Sequence, residues 1–322
     1  MEILVSICCM TYNHEKYIAQ ALDSFLMQET DFAWEIVIHD DASADGTADI
    51  IMEYARRCPN IIKPLIQTEN QQSRGIKVNT VFNMPRSRGK YIAFCDGDDY
   101  WTDPHKLQKQ ITYMEANPGC SLSYTRVQMQ QEADQKSSGF IRPYNESRVV
   151  PLEDILSRKG ISQISSLVYR KECMQEPPDF YMKGPMGDYF MFIFLALQGS
   201  AYYIDEPMSV YRINVPGSWM NRLFFGHKEK RIWLNRGVLK SIDEFNRYTG
   251  YKYADIMRSW QAECEEAIVM AAGDWQQLRD AKYVNFSKKQ FLYTAAKMYT
   301  YKYLPGLYQK MRDVKRTVRR EV

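Results

Sequence analysis

From residue 1 to about 130, apolar runs of strand type alternate with segments of helical period. That alternation leaves few folds open: βαβ units, and hence a mostly parallel sheet with helices on its faces. Residues 3–10 are the first strand run, and Tyr17, Ile18, Ala21, Leu22, Phe25 and Leu26 then mark one face of a helix that Asn13 can cap. Residues 34–38 are a continuous strand run closed by Asp40-Asp41. Asp45 or Thr47 can cap the next helix, which turns Ile50, Ile51, Tyr54 and Ala55 inward, and residues 61–67 and 90–95 are the third and fourth strands. Beyond Asp96-Gly97-Asp98-Asp99, Asp103 as N-cap and Pro104 at the first helical position start a helix with Leu107, Ile111 and Met114 inward, ended by Asn117-Pro118.

Residues 120–130 read as another strand, 131–147 as an exposed polar loop and 164–169 as strand-like. Residues 189–197 are apolar all round and predict a buried helix; 201–204 and 208–213 return to strand character around Asp205-Glu206-Pro207. From about residue 221 only helical patterns rich in Lys, Arg, Tyr and Trp remain. Because one core stops growing at roughly 250–300 residues, the expectation is a catalytic α/β unit over residues 1–222 and a helical region over 223–322.

Charge and cysteine usage narrow the function. The 42 Lys and Arg against 39 Asp and Glu leave +3, too little to make nucleic acid the expected partner. Seven Cys, an odd number, without a Cys-x-x-Cys pair and with Cys8, Cys9 and Cys95 inside apolar runs, read as reduced core residues of a cytoplasmic protein. No basic n-region precedes the first apolar run, so neither a signal peptide nor an anchor is expected there, and the run at 189–197 is far too short to span a bilayer.

Phosphate loops of the P-loop type, a Gly-x-Gly-x-x-Gly fingerprint and a Gly-x-Ser-x-Gly elbow are absent, and the four His have no zinc-ligand spacing. Any metal is therefore expected on oxygen. Asp96-Gly97-Asp98-Asp99 follows a buried strand, where an open α/β sheet presents ligands, and carboxylates suit Mg²⁺ or Mn²⁺. An EF-hand is excluded because Trp101 stands where that loop needs Gly. Each acidic feature also has a structural alternative: an Asp-Gly turn at 96–99, a solvated turn at Asp40-Asp41, and an N-cap at Asp188, just ahead of the apolar helix.

Taken in order, the first strand ending Cys9-Met10-Thr11-Tyr12-Asn13, then Asp40-Asp41-Ala42-Ser43-Ala44-Asp45-Gly46-Thr47, then residues 89–101 with Asp96-Gly97-Asp98-Asp99 resemble family 2 glycosyltransferases of the GT-A fold. Gly187-Asp188 and the Val210-Tyr211-Arg212 strand match that family's second half; the resemblance covers roughly residues 3–213 and is nearest to bacterial transferases that build cell-surface polysaccharides. It implies a GT-A-like, Rossmann-like sheet with a C-terminal helical appendage, and an inverting transfer from a nucleoside diphosphate sugar, UDP-linked, to a saccharide. It further implies that Thr11, Tyr12 and Asn13 line the nucleotide pocket, that Asp41 accepts a base N–H, and that Asp96 faces the ribose. Asp98 would face an Mn²⁺ or Mg²⁺ ion shared with Asp96, and Asp188 would be the catalytic base. Arg74 is a weaker candidate for the diphosphate, Asn214 stands where relatives often carry His, and Trp219 is a candidate sugar flank or a clasp for its own loop.

Two rival classes share these features in part: a nucleotidyltransferase, which lacks its usual Gly-rich basic loop here, and a non-catalytic nucleotide-sugar-binding scaffold. Residues 309–322 hold six basic against two acidic groups behind an aromatic segment, which predicts peripheral docking on an anionic membrane face where a lipid-linked acceptor would lie. A packed helix with a solvated tail is the other reading of the same residues.

Overall fold

Strand β1 (Ile3–Thr11) is a nearly unbroken apolar run because both of its faces are covered. It lies between β2 (Ala33–Asp40) and β4 (Tyr91–Phe94), parallel to both, and β3 (Ile62–Ile66) extends the parallel set beyond β2. The computed structural model describes residues 2–218 and 228–272, and within them the sheet runs β3-β2-β1-β4-β9-β6-β10-β5. β6 (Cys120–Gln131) and β10 (Ser200–Ile213) pair in parallel, whereas β9 (Val168–Arg170), between β4 and β6, is antiparallel to both. β5 (Tyr100–Trp101) and β8 (Arg148–Val150) are short antiparallel partners of β10. The architecture is α/β, a mixed sheet with a parallel centre.

Alternation along the central strands sorts the core into two layers. Val5, Ile7 and Cys9 of β1 and Tyr91 and Ala93 of β4 enter one cluster, with α1 (Ile18–Leu26), α2 (Thr47–Arg57) and α4 (Lys106–Ala116). Cys8, Ile92 and Phe94 enter the other, built mainly on α7 (Gly187–Gln198), whose Phe190 to Ala196 are all buried. Short helices α3 (Met84–Arg86), α5 (Leu152–Leu156) and α6 (Asp179–Met182) fill the connections. The C-terminal helices α8 (Lys228–Tyr248) and α9 (Ala254–Ala272) lay Val238, Ile242, Phe245, Met257 and Trp260 into the same cluster as α7. All seven Cys are unpaired, and no described helix is long and apolar enough to cross a membrane.

Several local expectations give way to longer-range bonding. Asn13 does not cap α1: it sits at φ 55°, accepts the Ala44 N–H at 2.8 Å and donates its own N–H to Ser43 Oγ at 2.8 Å, stapling two loops together. Asp45 does bond the first-turn N–H of Thr47, at 3.1 Å. Asp103 accepts the His105 N–H at 2.7 Å, and α4 starts only at Lys106. Within the expected 131–147 loop, β7 (Ser137–Ile141) pairs with the outer edge of β6; its Ser-Ser-Gly start carries no apolar alternation to signal a strand. Ile164–Ser166 is a helical turn fixed by the Gln163 side chain, so the strand expected at 164–169 begins at Val168. The two strand runs at 201–213 are one strand with register shifts around Pro207.

Gly89 shows how closely β1 and β4 are joined. A Cβ there would lie 2.5 Å from the Ser6 nitrogen and 2.7 Å from the Val5 carbonyl carbon. Backbone cannot move aside as a side chain can, so Gly89→Ala is expected to cost about 1–3 kcal/mol, the usual range for overpacking. Chemical denaturation checks it, and an unchanged midpoint would contradict the packing described.

Candidate active site

The strand order reverses direction at β1: β2 and β3 lie on one side and β4 on the other. Open α/β sheets bind ligands at the carboxyl ends of the strands flanking such a switch point, and here those ends carry Thr11 to His14 and Asp96 to Asp99. The two ends are tied by the Cys95 N–H to the Cys8 carbonyl at 3.3 Å and the Gly97 N–H to the Met10 carbonyl at 2.9 Å. A Cβ on Gly97 would lie 2.8 Å from both Thr11 Cβ and Oγ1, so only glycine lets the acidic turn sit this close to β1. Thr11 Oγ1 is itself buried without a hydrogen-bond partner.

Arg212, near the end of β10, fixes the other flank of the turn. Its backbone N–H donates to Asp99 Oδ1 at 2.9 Å, and its guanidinium donates to the Asp98 carbonyl and to Gln20 Oε1. The guanidinium also lies 4.6 Å from the Tyr100 ring centre and 5.1 Å from that of Tyr17. Asp99 is thereby a structural acid, buried and facing the strand. Its burial, then the Asp98 charge, push its carboxyl well above the ordinary range against the Arg212 N–H.

Asp96 and Asp98 remain for ligands. The Asp96 carboxylate has no hydrogen-bond partner among the described residues; burial first, then the charges of Asp98 and Asp188, hold it well above the usual carboxylate range. Asp98 Oδ2 has one neighbour, His14 Nε2 at 3.8 Å. Tyr211 is pushed up by burial and then by Asp99, Asp98, Asp188 and Asp96, so all four acids act on one side chain. No three described His, Cys, Asp or Glu side chains close into a metal cage. The donor set instead fits a hard divalent cation held by one or two carboxylates and completed by a diphosphate.

Asp188 lies in the first turn of α7, and it is not the N-cap that a local reading allows: no side chain caps this helix and nothing donates to its carboxylate. The residue is exposed to solvent. Surrounding protein still raises its carboxyl above the ordinary range, and the Lys77 ammonium pulls it back. Lys77 is the residue sequence reasoning missed here. Its Nζ donates to the Gly184 carbonyl at 2.6 Å and would stand 2.9 Å from a Cβ on Gly187, a cation set at the positive end of α7 with Asp188 as its counter-charge. Because it belongs to the irregular segment before β4, no periodicity or motif marks it.

The remaining expected residues divide. Tyr12 and Asn13 flank the switch point, Asn13 with its side chain already in the Ala44 staple. Asp41 is buried, its Oδ1 accepting the Gln71 N–H at 2.8 Å and facing His39 Nε2 at 3.2 Å, its Oδ2 accepting the Gln72 N–H at 2.9 Å. It thus orders the turn at residues 70–72. Arg74 is exposed and paired with Glu69 at 3.0 Å. Asn214 donates to Gln131 Oε1 at 2.7 Å. Trp219 and the basic segment 309–322 lie outside the described residues.

Residues 6–162 match the model of the glycosyl transferase family 2, and with the GT-A architecture and the acidic turn in place the chain belongs to that family. An uncharacterised protein of Mycobacterium tuberculosis is 35% identical over 233 residues, 72% of this chain; the chain spans 64% of that relative's length. The putative teichuronic acid biosynthesis glycosyltransferase TuaG of Bacillus subtilis is 26% identical over 211 residues, 65% of this chain and 79% of that one. Two solved structures share the fold. S. aureus TarS (residues 1–349) in complex with UDP-GlcNAc has a TM-score of 0.56 at 15% identity, covering 93% of this chain and 92% of that one. The mannosyltransferase PcManGT of Pyrobaculum calidifontis, in complex with GDP-Man and Mn²⁺, has a TM-score of 0.57 at 17% identity, covering 97% and 83%.

Gly97→Ala tests the seating of the acidic turn. The added methyl must displace Thr11 or the turn, at about 1–3 kcal/mol, and nucleotide binding is expected to weaken with it. Thr11→Gly in the same chain removes both atoms the methyl meets and is expected to restore most of the stability. Equal melting of Gly97→Ala and the parent would contradict the contact.

Proposed function

We propose that this chain transfers a glycosyl residue from a nucleoside diphosphate sugar, UDP-linked, to a saccharide hydroxyl with inversion at the anomeric carbon, in the assembly of a cell-surface polysaccharide. One observation carries the reading: the charges of Asp98 and Asp188 both act on Asp96 beside the switch point, and none of the three spends a carboxylate oxygen on a hydrogen bond within the described protein. Carboxylates that the protein does not claim for its own bonds are open to a ligand. A bound cation and a substrate hydroxyl are such ligands. The nucleotide sugars and the Mn²⁺ held by the TarS and mannosyltransferase structures support a donor and a divalent ion of these kinds, and the name of TuaG supports a surface-polysaccharide product.

In this reading the nucleotide lies along Thr11, Tyr12 and Asn13, beside the Gln71-Gln72 turn that Asp41 orders. Because the Asp41 side chain is only 1% exposed, that turn must open for it to take a base N–H directly. Asp96 faces the ribose, and Asp98, with Asp96 behind it, would hold Mn²⁺ or Mg²⁺. Such an ion, when bound, offsets the charge that builds on the departing diphosphate. Lys77 is the basic group that acts on Asp188; Arg74 reaches the diphosphate only by leaving Glu69.

Asp188 takes the proton of the acceptor hydroxyl as its oxygen attacks the oxocarbenium-like carbon, the single-displacement logic of inverting sugar chemistry. Residues 1–222 form the catalytic unit, and 223–322 a helical region whose basic end docks on the cytoplasmic face of a membrane, where a lipid-linked acceptor is presented.

Asp188→Asn keeps size and shape but cannot accept the proton, so turnover is expected to fall about 10²–10⁴-fold with nucleotide binding little changed. Parental turnover in a folded variant would overturn the assignment. Lys77 gives a second handle, through the sign of a pH effect. A base works ionised, so activity falls as pH drops through the carboxyl's pKa, which the surrounding protein raises and Lys77 lowers. Lys77→Met removes the lowering, and the acidic limb of the pH–kcat profile is expected to move to higher pH. A limb that stays in place or moves down would show that Lys77 does not act on Asp188.

A further inference from the structure

Around the acidic turn, one side chain is held in place with nothing for its functional atoms to do. The backbone of His14 is clamped: its N–H donates to Thr47 Oγ1 at 2.8 Å, and its carbonyl accepts from Tyr17 at 2.8 Å and Ile18 at 2.9 Å, starting α1. The neighbouring Asn13, at φ 55°, sets the direction of the chain as it leaves β1. The imidazole is left with no hydrogen bond at either nitrogen among the described residues, and its Nδ1 is buried. Its Nε2 lies 3.8 Å from Asp98 Oδ2, with the two side chains only 15% and 18% exposed.

That distance is too long for a hydrogen bond, which needs about 2.7–3.2 Å. It lies, however, between the two spacings that donors take on one cation. Octahedral bonds of about 2.1 Å put neighbouring ligands about 3 Å apart and opposite ligands about 4.2 Å apart, so a small side-chain rotation brings this pair to either. Neutral imidazole is a common metal ligand; Mn²⁺ prefers oxygen but, as a first-row transition ion, takes an imidazole nitrogen more readily than the harder Mg²⁺ does.

We propose that His14 is a ligand of the divalent ion at Asp98, so that a protein nitrogen joins the carboxylate donors and the site favours Mn²⁺ over Mg²⁺. The proposal rests on the metal-assisted reading above and adds to it a ligand from the β1–α1 loop. His39 and His105 cannot stand in. His39 is buried against Asp41 at 3.2 Å, and His105 is half exposed beside Glu29 at 3.9 Å.

Pulsed EPR on the metal-free full chain, loaded with Mn²⁺ with and without UDP, reads the nitrogen directly. The expected result is ¹⁴N modulation from a coordinated imidazole, present with and without nucleotide. His14→Asn, shown by circular dichroism to be folded, is expected to lose that modulation and to bind Mn²⁺ about tenfold or more weakly. Mn²⁺ bound tightly without ¹⁴N modulation, or with modulation that survives His14→Asn, overturns the ligand assignment and leaves the metal-assisted reading standing. No Mn²⁺ bound at all, with or without UDP, overturns both.

Discussion

The acidic turn after β4 is a strained place for a fold to put charge, since Asp96, Asp98 and Asp99 fall within four residues and repel one another. Arg212 makes it tenable. Its backbone N–H occupies Asp99, its guanidinium occupies the Asp98 carbonyl and Gln20, and two tyrosine rings sandwich it. The last strand of the sheet, the first helix and the turn between them are thereby one unit. Because the guanidinium takes the Asp98 carbonyl and not its carboxylate, the charge of Asp98 stays free to face outward. A buried cation so placed holds the geometry while leaving the acid's chemistry unspent.

Asp188, the proposed base, is positioned from the opposite side of the sheet, by residues far along the chain. Trp260 of α9 stacks on Phe190 with ring centres 5.2 Å apart and meets Tyr189 at 5.9 Å, directly after Asp188 in α7. Arg158 lies 4.7 Å over the other part of that contact and pairs with Glu263 at 2.7 Å. The described C-terminal helices therefore contribute to the same core that carries α7, and the position of Asp188 depends on packing around Trp260. In transfer chemistry, where a misplacement of about 1 Å can cost two orders of magnitude, such bracing bears on rate as well as stability.

Much of this was legible in the sequence, and the reason differs from element to element. The central strands announce themselves because both faces are buried and the run is apolar throughout; α7 does so because it is apolar all round. The Asp-rich ends of β2 and β4 and Asp188 were found because their order and spacing carry a family signature. What could not be read were features set by distant partners. β7 is a strand because β6 offers an open edge, not because Ser137–Ile141 favours one. Asn13 is a good cap by type but bonds Ala44, thirty-one positions away. Asp41 looks like a free acid in a turn until Gln71 and Gln72 are folded against it. His14 and Lys77 have no motif of their own, and only the closing of the sheet places them beside Asp98 and Asp188.

The proposed function requires that the bond broken at this site be the one between sugar and diphosphate. Mass spectrometry of the products formed when the chain, with Mn²⁺, meets a panel of UDP- and GDP-linked sugars tests that most directly. It predicts release of the free nucleoside diphosphate, with the sugar moved to an added saccharide or, slowly, to water. Release of a nucleoside monophosphate with a sugar phosphate, formation of pyrophosphate, or binding of every donor with no cleavage would contradict it.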